Sequence, residues 1–266
     1  MIGSLLLKGW AVSVPDYEGI RSEFLVAGTE GKAVLDGIRA LDGFAPAGLQ
    51  KSPKALWGYS GGSLASAAAA QLQPSYAPEV KLAGVALGGL LGDVREVIDA
   101  FSGSFAGGGI PMGINGFLRA YPELDLLQYI NESGRQKVKA TEADCLFESV
   151  PRYPFLTLGQ IEATPDALST PAVAQMLAEN SPRSMPGAPS APVYHYHAKL
   201  DEFAPIGPAR DTIANYCRAG TIVESREKIL GEHLTELALG APGAVGFLDR
   251  RFAGKTPINT CRTVVR

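Results

Sequence analysis

Histidine, cysteine and charge are all scarce in this 266-residue chain: three histidines, three cysteines and 19% charged residues, against 46% hydrophobic ones. Each scarcity closes off a class of function. Cys145, Cys217 and Cys261 form no C-x-x-C pair, so neither a zinc knuckle nor a dithiol redox motif is present. Their odd number leaves at least one without an intramolecular partner; three reduced thiols, or one bridge and an orphan, both remain open. Lysine and arginine total 24 against 27 acidic residues, so no basic field marks a nucleic-acid or anionic-lipid surface. No nucleic-acid partner, metal or organic cofactor is expected. The longest apolar stretch, Leu82 to Leu91, is about ten residues and carries glycines, far short of the roughly 20 that span a bilayer. It reads as a buried strand, and no transmembrane segment is expected. Met1-Ile2-Gly3-Ser4-Leu5-Leu6-Leu7-Lys8-Gly9 lacks the basic start and small-residue cleavage site of a secretory leader and runs straight into the next element.

What the chain does carry is Gly58-Tyr59-Ser60-Gly61-Gly62, preceded by the apolar run Ala55-Leu56-Trp57 and followed by the small-residue stretch Ser63 to Ala70. A serine held on a sharp turn between a strand and a helix needs glycine two positions before and two after, where a side chain would meet neighbouring backbone. The turn lifts the hydroxyl clear of the sheet. It also sets it at a helix N-terminus, where unpaired N–H groups and the helix dipole favour a developing oxyanion. Ser60 is thereby the candidate nucleophile, and the Gly61 amide the candidate oxyanion donor.

The surrounding pattern is α/β. Trp10 to Pro15 reads as a short strand ending in the turn Asp16 to Gly19. From Gly28 to Leu41 apolar residues recur at helical spacing, and the strand at Leu56, the small-residue helix and the strand Leu82 to Leu87 follow. Strands alternating with helices mean a parallel sheet with helical crossovers, and near-continuous apolar strands mean that both sheet faces are covered. Beyond Gly92 the rhythm changes. Val94 to Tyr121 is helical but interrupted by glycines, Leu124 to Lys139 reads as a further helix, and a proline-rich connector closes the region at Ser181 to Pro189. The expected organisation is therefore residues 1–94 as the first part of a core, 95–190 as an inserted, mainly helical cap, and 191–266 as the second part. Val193 to His197 and Thr221 to Arg226 read as its strands, with a helix over Pro208 to Arg218 between them and a final helix containing Ala244 to Leu248.

A serine hydroxyl is a weak nucleophile at neutral pH and needs a base within hydrogen-bond reach, with a carboxylate to fix the base's tautomer. His195 and His197 share one face within a strand, which favours structural or supporting roles. His233 stands after the last strand and before a helix, at the sheet end where the elbow sits, and is the candidate base. Asp201, immediately beyond the strand Val193 to His197, is the candidate acid, with Glu202 its rival; the order Ser60, Asp201, His233 is that of α/β-hydrolases. A second oxyanion donor is not evident. Phe105, Ile110, Met112, Ile114 and Phe117 in the expected cap suit either an acyl chain or ordinary core packing.

These residues, with Lys8-Gly9-Trp10, Pro15-Asp16-Tyr17-Glu18-Gly19, Ala33 to Leu41, Ser75-Tyr76-Ala77-Pro78-Glu79, His197-Ala198 and Glu232-His233-Leu234-Thr235, resemble the secretory lipase family of Candida antarctica lipase A-like α/β-hydrolases through essentially the whole chain. The resemblance implies a Ser60, Asp201, His233 triad, hydrolysis of triacylglycerols or other esters under a helical cap, and secretion. It also implies an N-terminal section, with a leader and first strands, ahead of position 1. One of those strands would lie between the strands at Trp10 and Leu56, and the section would supply the second oxyanion donor. The expectation is accordingly a fragment or truncated gene product, in which the strand at Leu56 has an open edge or pairs directly with the strand at Trp10. In this setting Cys217 and Cys261 are expected to bridge, tying the tail to the sheet, with Cys145 left over.

Overall fold

The computed structural model describes residues 2–265. Four strands, β1 (Lys54–Tyr59), β2 (Leu82–Gly88), β3 (Val193–Ala198) and β4 (Val223–Lys228), form one parallel sheet in the order β1-β2-β3-β4. Parallel neighbours require crossovers, and helices supply them: α3 (Gly61–Tyr76) joins β1 to β2, and α9 (Ile206–Arg218) joins β3 to β4. Alternation along each strand sends one set of side chains to each face. Leu56, Val85, Leu87, Val193 and Val223 pack with α2 (Ala27–Gly43), α3 and α9. Ala86, Tyr194 and Tyr196 instead meet Ala244, Phe247 and Leu248 of α10 (His233–Phe252).

The alanine run of α3 explains how tightly this packs. Residues Ala65 and Ala67 to Ala70 are almost wholly buried, and a Cβ on Gly31 of α2 would lie 2.7 Å from the Ala69 backbone nitrogen. Only small residues on both helices allow backbones to approach that closely. α3 is thus fixed against α2 and the sheet, and so is the serine at its N-terminus.

Between β2 and β3 the chain forms α4 (Val94–Phe101), α5 (Gly109–Ala120), α6 (Glu132–Ala140), α7 (Leu146–Arg152) and α8 (Pro171–Glu179), joined by 3-10 turns and one isolated bridge, Ile130 to Glu162. The buried faces of α4, α5, α6 and α8 share a cluster with Phe24 and Leu25 and with Leu64 and Ala68 of α3. The single helix expected over Leu124 to Lys139 is broken. Asp125 takes a left-handed backbone conformation, and Asn131 caps α6 by accepting from the Gly134 amide at 2.8 Å. The asparagine satisfies a helix start that periodicity alone reads through.

Trp10 to Pro15 is not a strand. A strand exists only through a ladder with a neighbour, and none is present: β1 pairs with β2 alone among the described residues, so its other edge is open and direct pairing with residues 10–15 does not occur. Trp10 packs edge-to-face on Phe252 of α10 at 4.9 Å instead. A short helix, α1 (Ile2–Leu6), precedes this segment. At the other end, α11 (Cys261–Val264) lies against α9, and Cys217 is bridged to Cys261. Cys145 is free and exposed.

Candidate active site

Ser60 stands between β1 and α3 with φ 55° and ψ −124°, a conformation that side chains disfavour. The turn is held from both sides. The Ser60 amide donates to Gly88 O at 3.0 Å, and Ser60 O accepts from Ser63 N and Leu64 N. Gly58 is required, because its Cβ would lie 1.9 Å from Gly62 O. The expectation for Gly62 is corrected: a Cβ there meets nothing within 4 Å. The crowding is one-sided, arising where the strand passes under the first helical turn. Gly61 is the first residue of α3, so its amide has no acceptor inside the helix and lies at the positive end of the dipole.

His233 is the first residue of α10. Glu232 caps this helix, accepting from Leu234 N and Thr235 N at 2.8 Å each, and Gly231 before it has φ 118°. Two further contacts fix the histidine backbone: its amide donates to Glu202 Oε2 at 3.1 Å, and its carbonyl accepts from Tyr59 Oη at 2.5 Å. The ring lies against Tyr59 and Phe203, with centroids 5.1 and 5.4 Å away. Burial, followed by the Asp201 charge, raises the Tyr59 phenol far above its ordinary range, so Tyr59 serves as a donor.

Asp201 lies on the turn after β3, and its Oδ1 accepts from Phe203 N and Ala204 N at 3.1 and 2.7 Å. Its two oxygens stand 2.9 and 2.8 Å from His233 Nδ1, while His233 Nε2 stands 2.9 Å from Ser60 Oγ. A carboxylate can only accept. Nδ1 therefore carries the proton, and the Nε2 lone pair faces the serine hydroxyl. Both Asp201 and His233 are under a tenth exposed, which strengthens the electrostatics of the pair relative to water.

The three residues singled out from sequence thus come together, and the rival carboxylate, Glu202, orients the His233 backbone. Tyr17 and Tyr59 lie within stretches singled out from sequence but with no role assigned there, and Phe203 and Ala204 carry no motif signal; all four contribute through contact. The Tyr17 hydroxyl is 3.4 Å from where a Cβ on Gly61 would sit. Its phenol is pushed well above the ordinary range by burial first and by Glu30, Glu18 and Asp16 next.

Comparison with known proteins agrees with this architecture. A family model described as secretory lipase matches residues 1–260. Lipase 10 of Candida albicans is 36% identical over 280 aligned residues, which cover 100% of this chain and 60% of the relative. A secreted triacylglycerol lipase, LIP5, of Malassezia furfur is 31% identical, over 96% of this chain and 69% of the relative. Candida antarctica lipase A in its closed state superposes with a TM-score of 0.92 at 30% identity, covering 98% of this chain and 63% of that structure. The rice cell wall degrading esterase LipA of Xanthomonas oryzae, at 20% identity and a TM-score of 0.60, shares the fold. The chain spans about 60% of the length of the Candida albicans relatives that it matches. On the family match, the identity to these lipases and the shared α/β-hydrolase fold, the chain belongs to the secretory lipase family.

Proposed function

We propose that the protein is a serine carboxylic ester hydrolase acting on lipid esters, with Ser60 as nucleophile, His233 as general base and acid, and Asp201 holding the histidine tautomer. The observation that carries this reading is the continuous line from Asp201 through His233 to Ser60 Oγ, with no contact longer than 2.9 Å. Ser60 Oγ attacks the acyl carbonyl as its proton passes to His233 Nε2. The Gly61 N–H faces the resulting oxyanion. Collapse of the tetrahedral intermediate breaks the ester bond, and His233 returns the proton to the departing alkoxide. Water, deprotonated by the same nitrogen, then attacks the acyl-serine, and as the carboxylic acid leaves, His233 returns that proton to Ser60 Oγ. Asp201 stays ionised and stabilises the imidazolium formed in each half-reaction.

We assign residues 95–190 as a cap over a core made of 1–94 and 191–266. Within it Ile110, Ile114 and Phe117 are buried in a shared core, Met112 is half-buried, and Phe105 is exposed. An apolar cavity of about 40 Å³ lies among Ile98, Ile110, Ile114, Leu126, Val173 and Met176. That is room for no more than a few water-sized molecules, and its lining includes neither Ser60 nor His233. Secretion is the assignment consistent with the family and with the printed name of the Malassezia furfur relative.

A fluorophosphonate probe tests the reading. Labelling of the wild type and its loss in Ser60→Ala are the expected outcome, and a well-folded protein that does not label refutes it in favour of a silent relative. That second reading is favoured by the open edge of β1, beside which only the Gly61 amide has been identified as an oxyanion donor. p-Nitrophenyl esters of graded chain length, run beside peptide substrates and competing alcohols, separate lipid-ester hydrolysis from peptidase or acyltransferase chemistry.

A further inference from the structure

Next to Asp201, two further histidines lie wholly buried in β3. His197 Nε2 is 2.8 Å from Ala204 O and 3.5 Å from Asp201 Oδ2. His197 Nδ1 is 3.3 Å from His195 Nε2, and His195 Nδ1 is 3.0 Å from Ser225 Oγ on β4. A buried cluster of three histidines and one carboxylate is rare enough to require an account, and the triad uses only one of the histidines.

The proton positions follow from one atom. A carbonyl oxygen can only accept, so His197 Nε2 must carry a proton. Burial holds both rings well toward the neutral form, so His197 Nδ1 is a bare lone pair. His195 Nε2 must then donate to it, which leaves His195 Nδ1 bare and makes Ser225 the donor that satisfies it. Arg210 of α9 and Glu227 of β4, the nearest charged side chains on the flanking elements, are paired with each other at 2.6 to 2.8 Å. All three hydrogen bonds therefore run one way, from Ser225 toward the turn that carries Asp201.

We propose that Ser225, His195 and His197 form a directional hydrogen-bond chain that positions Asp201, and through it His233, by clamping the turn 201–204. The chain ends on residue 204, whose amide donates to Asp201 Oδ1 at 2.7 Å and whose carbonyl His197 holds. Residue 204 is gripped from both sides, and its amide, with that of Phe203, holds Asp201 Oδ1 in the orientation that faces His233 Nδ1. The 3.5 Å approach of the His197 N–H to Oδ2 is long for a hydrogen bond, yet it sets a positive dipole edge against the ionised oxygen. Ser225 is itself anchored, its amide donating to Thr260 Oγ1 at 2.9 Å. These are positioning residues for the triad reading given above, on which the kinetic part of the proposal rests.

The test has two arms, one of which needs no turnover. Long-range ¹H–¹⁵N correlation spectra of the full chain labelled with [¹⁵N]histidine report tautomers directly at neutral pH. Both His195 and His197 are expected with the proton on Nε2, and Ser225→Ala is expected to keep both there, because Ala204 O sets the tautomers, while the His195 Nδ1 resonance shifts on losing its donor. A proton on Nδ1 of either ring in the wild type overturns the proposal. In the kinetic arm, His197→Leu is expected to lower kcat by about 10- to 100-fold, by analogy with the loss when partners that orient metal ligands are removed. KM should stay near the wild-type value, and His197→Gln, whose amide restores a donor toward Ala204 O, should recover most of the loss. Equal impairment of the glutamine and leucine variants, or a loss carried by KM, overturns it. If wild-type Ser60 takes no fluorophosphonate, the triad reading fails while the tautomer measurement still stands.

Discussion

Replacing Cys261 by serine isolates what the bridge contributes, because the folded tail keeps other anchors. Thr260 N donates to Val223 O at 2.7 Å, and Ser225 N to Thr260 Oγ1 at 2.9 Å, without involving sulfur. The change therefore acts mainly on the unfolded chain. Residues 217 and 261 are 44 apart, and a cross-link over that separation removes about 13 cal/mol/K of unfolded-chain entropy, or about 4 kcal/mol at 25 °C. Against a typical domain stability of roughly 5 to 15 kcal/mol, this is a large fraction. Urea unfolding of Cys261→Ser and wild type without reductant, followed by tryptophan fluorescence and circular dichroism, measures the difference. Cys145→Ser, at an exposed free thiol, is the control and should stay within about 0.5 kcal/mol of the wild type. A loss below about 1 kcal/mol in Cys261→Ser would refute the reasoning, since an entropic tether of this length cannot contribute so little unless the unfolded chain is already confined.

Three further changes probe the elbow and a buried carboxylate of α2. Gly58→Ala places a methyl 1.9 Å from Gly62 O and 2.6 Å from Ser63 N; both are backbone atoms, so the elbow itself must shift. Fluorophosphonate labelling should slow by on the order of 100-fold, the cost of about an ångström of misplacement, whereas Gly62→Ala, with open space at its Cβ, should label within a few-fold of the wild type. Glu30 is buried, and its Oε1 accepts from Leu25 N while Oε2 has no partner. Burial, then repulsion from Glu18, raises its carboxyl well above the ordinary 4.5. Above that value the folded protein keeps a proton that the unfolded chain has released, so the contribution of Glu30 to stability is complete below 4.5 and is lost as pH rises through the folded value. Glu30→Gln, neutral at every pH, should therefore gain stability relative to the wild type between pH 5 and 8. Chemical-denaturation midpoints across that range check the sign; a constant or shrinking difference would refute it.

The site was legible wherever the chemistry is local. Gly58, Ser60 and the small-residue helix form one continuous signal, because a strand, a tight turn and a helix start occupy consecutive residues. Asp201 and His233 could be named from their places after strands, since parallel strands deliver their following loops to one sheet end. Other features depend on partners distant in sequence. Trp10 to Pro15 has strand composition but, among the described residues, no neighbouring strand to pair with. Asn131 breaks a helix that periodicity carries through, by a cap whose energy the apolar pattern does not record. Glu202 and Asp201 are adjacent and chemically alike, and only the arrival of α10 decides that one faces the imidazole while the other receives the His233 amide.

By itself the sequence determined an α/β chain with a reactive-serine elbow, because alternation, glycine placement and chain order are properties of nearest neighbours along the backbone. The tertiary structure alone decided that Glu202 takes the His233 amide while Asp201 takes the ring, that His195, His197 and Ser225 line up beside them, and that, among the described residues, one edge of β1 is left without a ladder. Those outcomes depend on hydrogen-bond donors and acceptors brought within 3 Å or so across tens to hundreds of residues, and no local pattern encodes that distance.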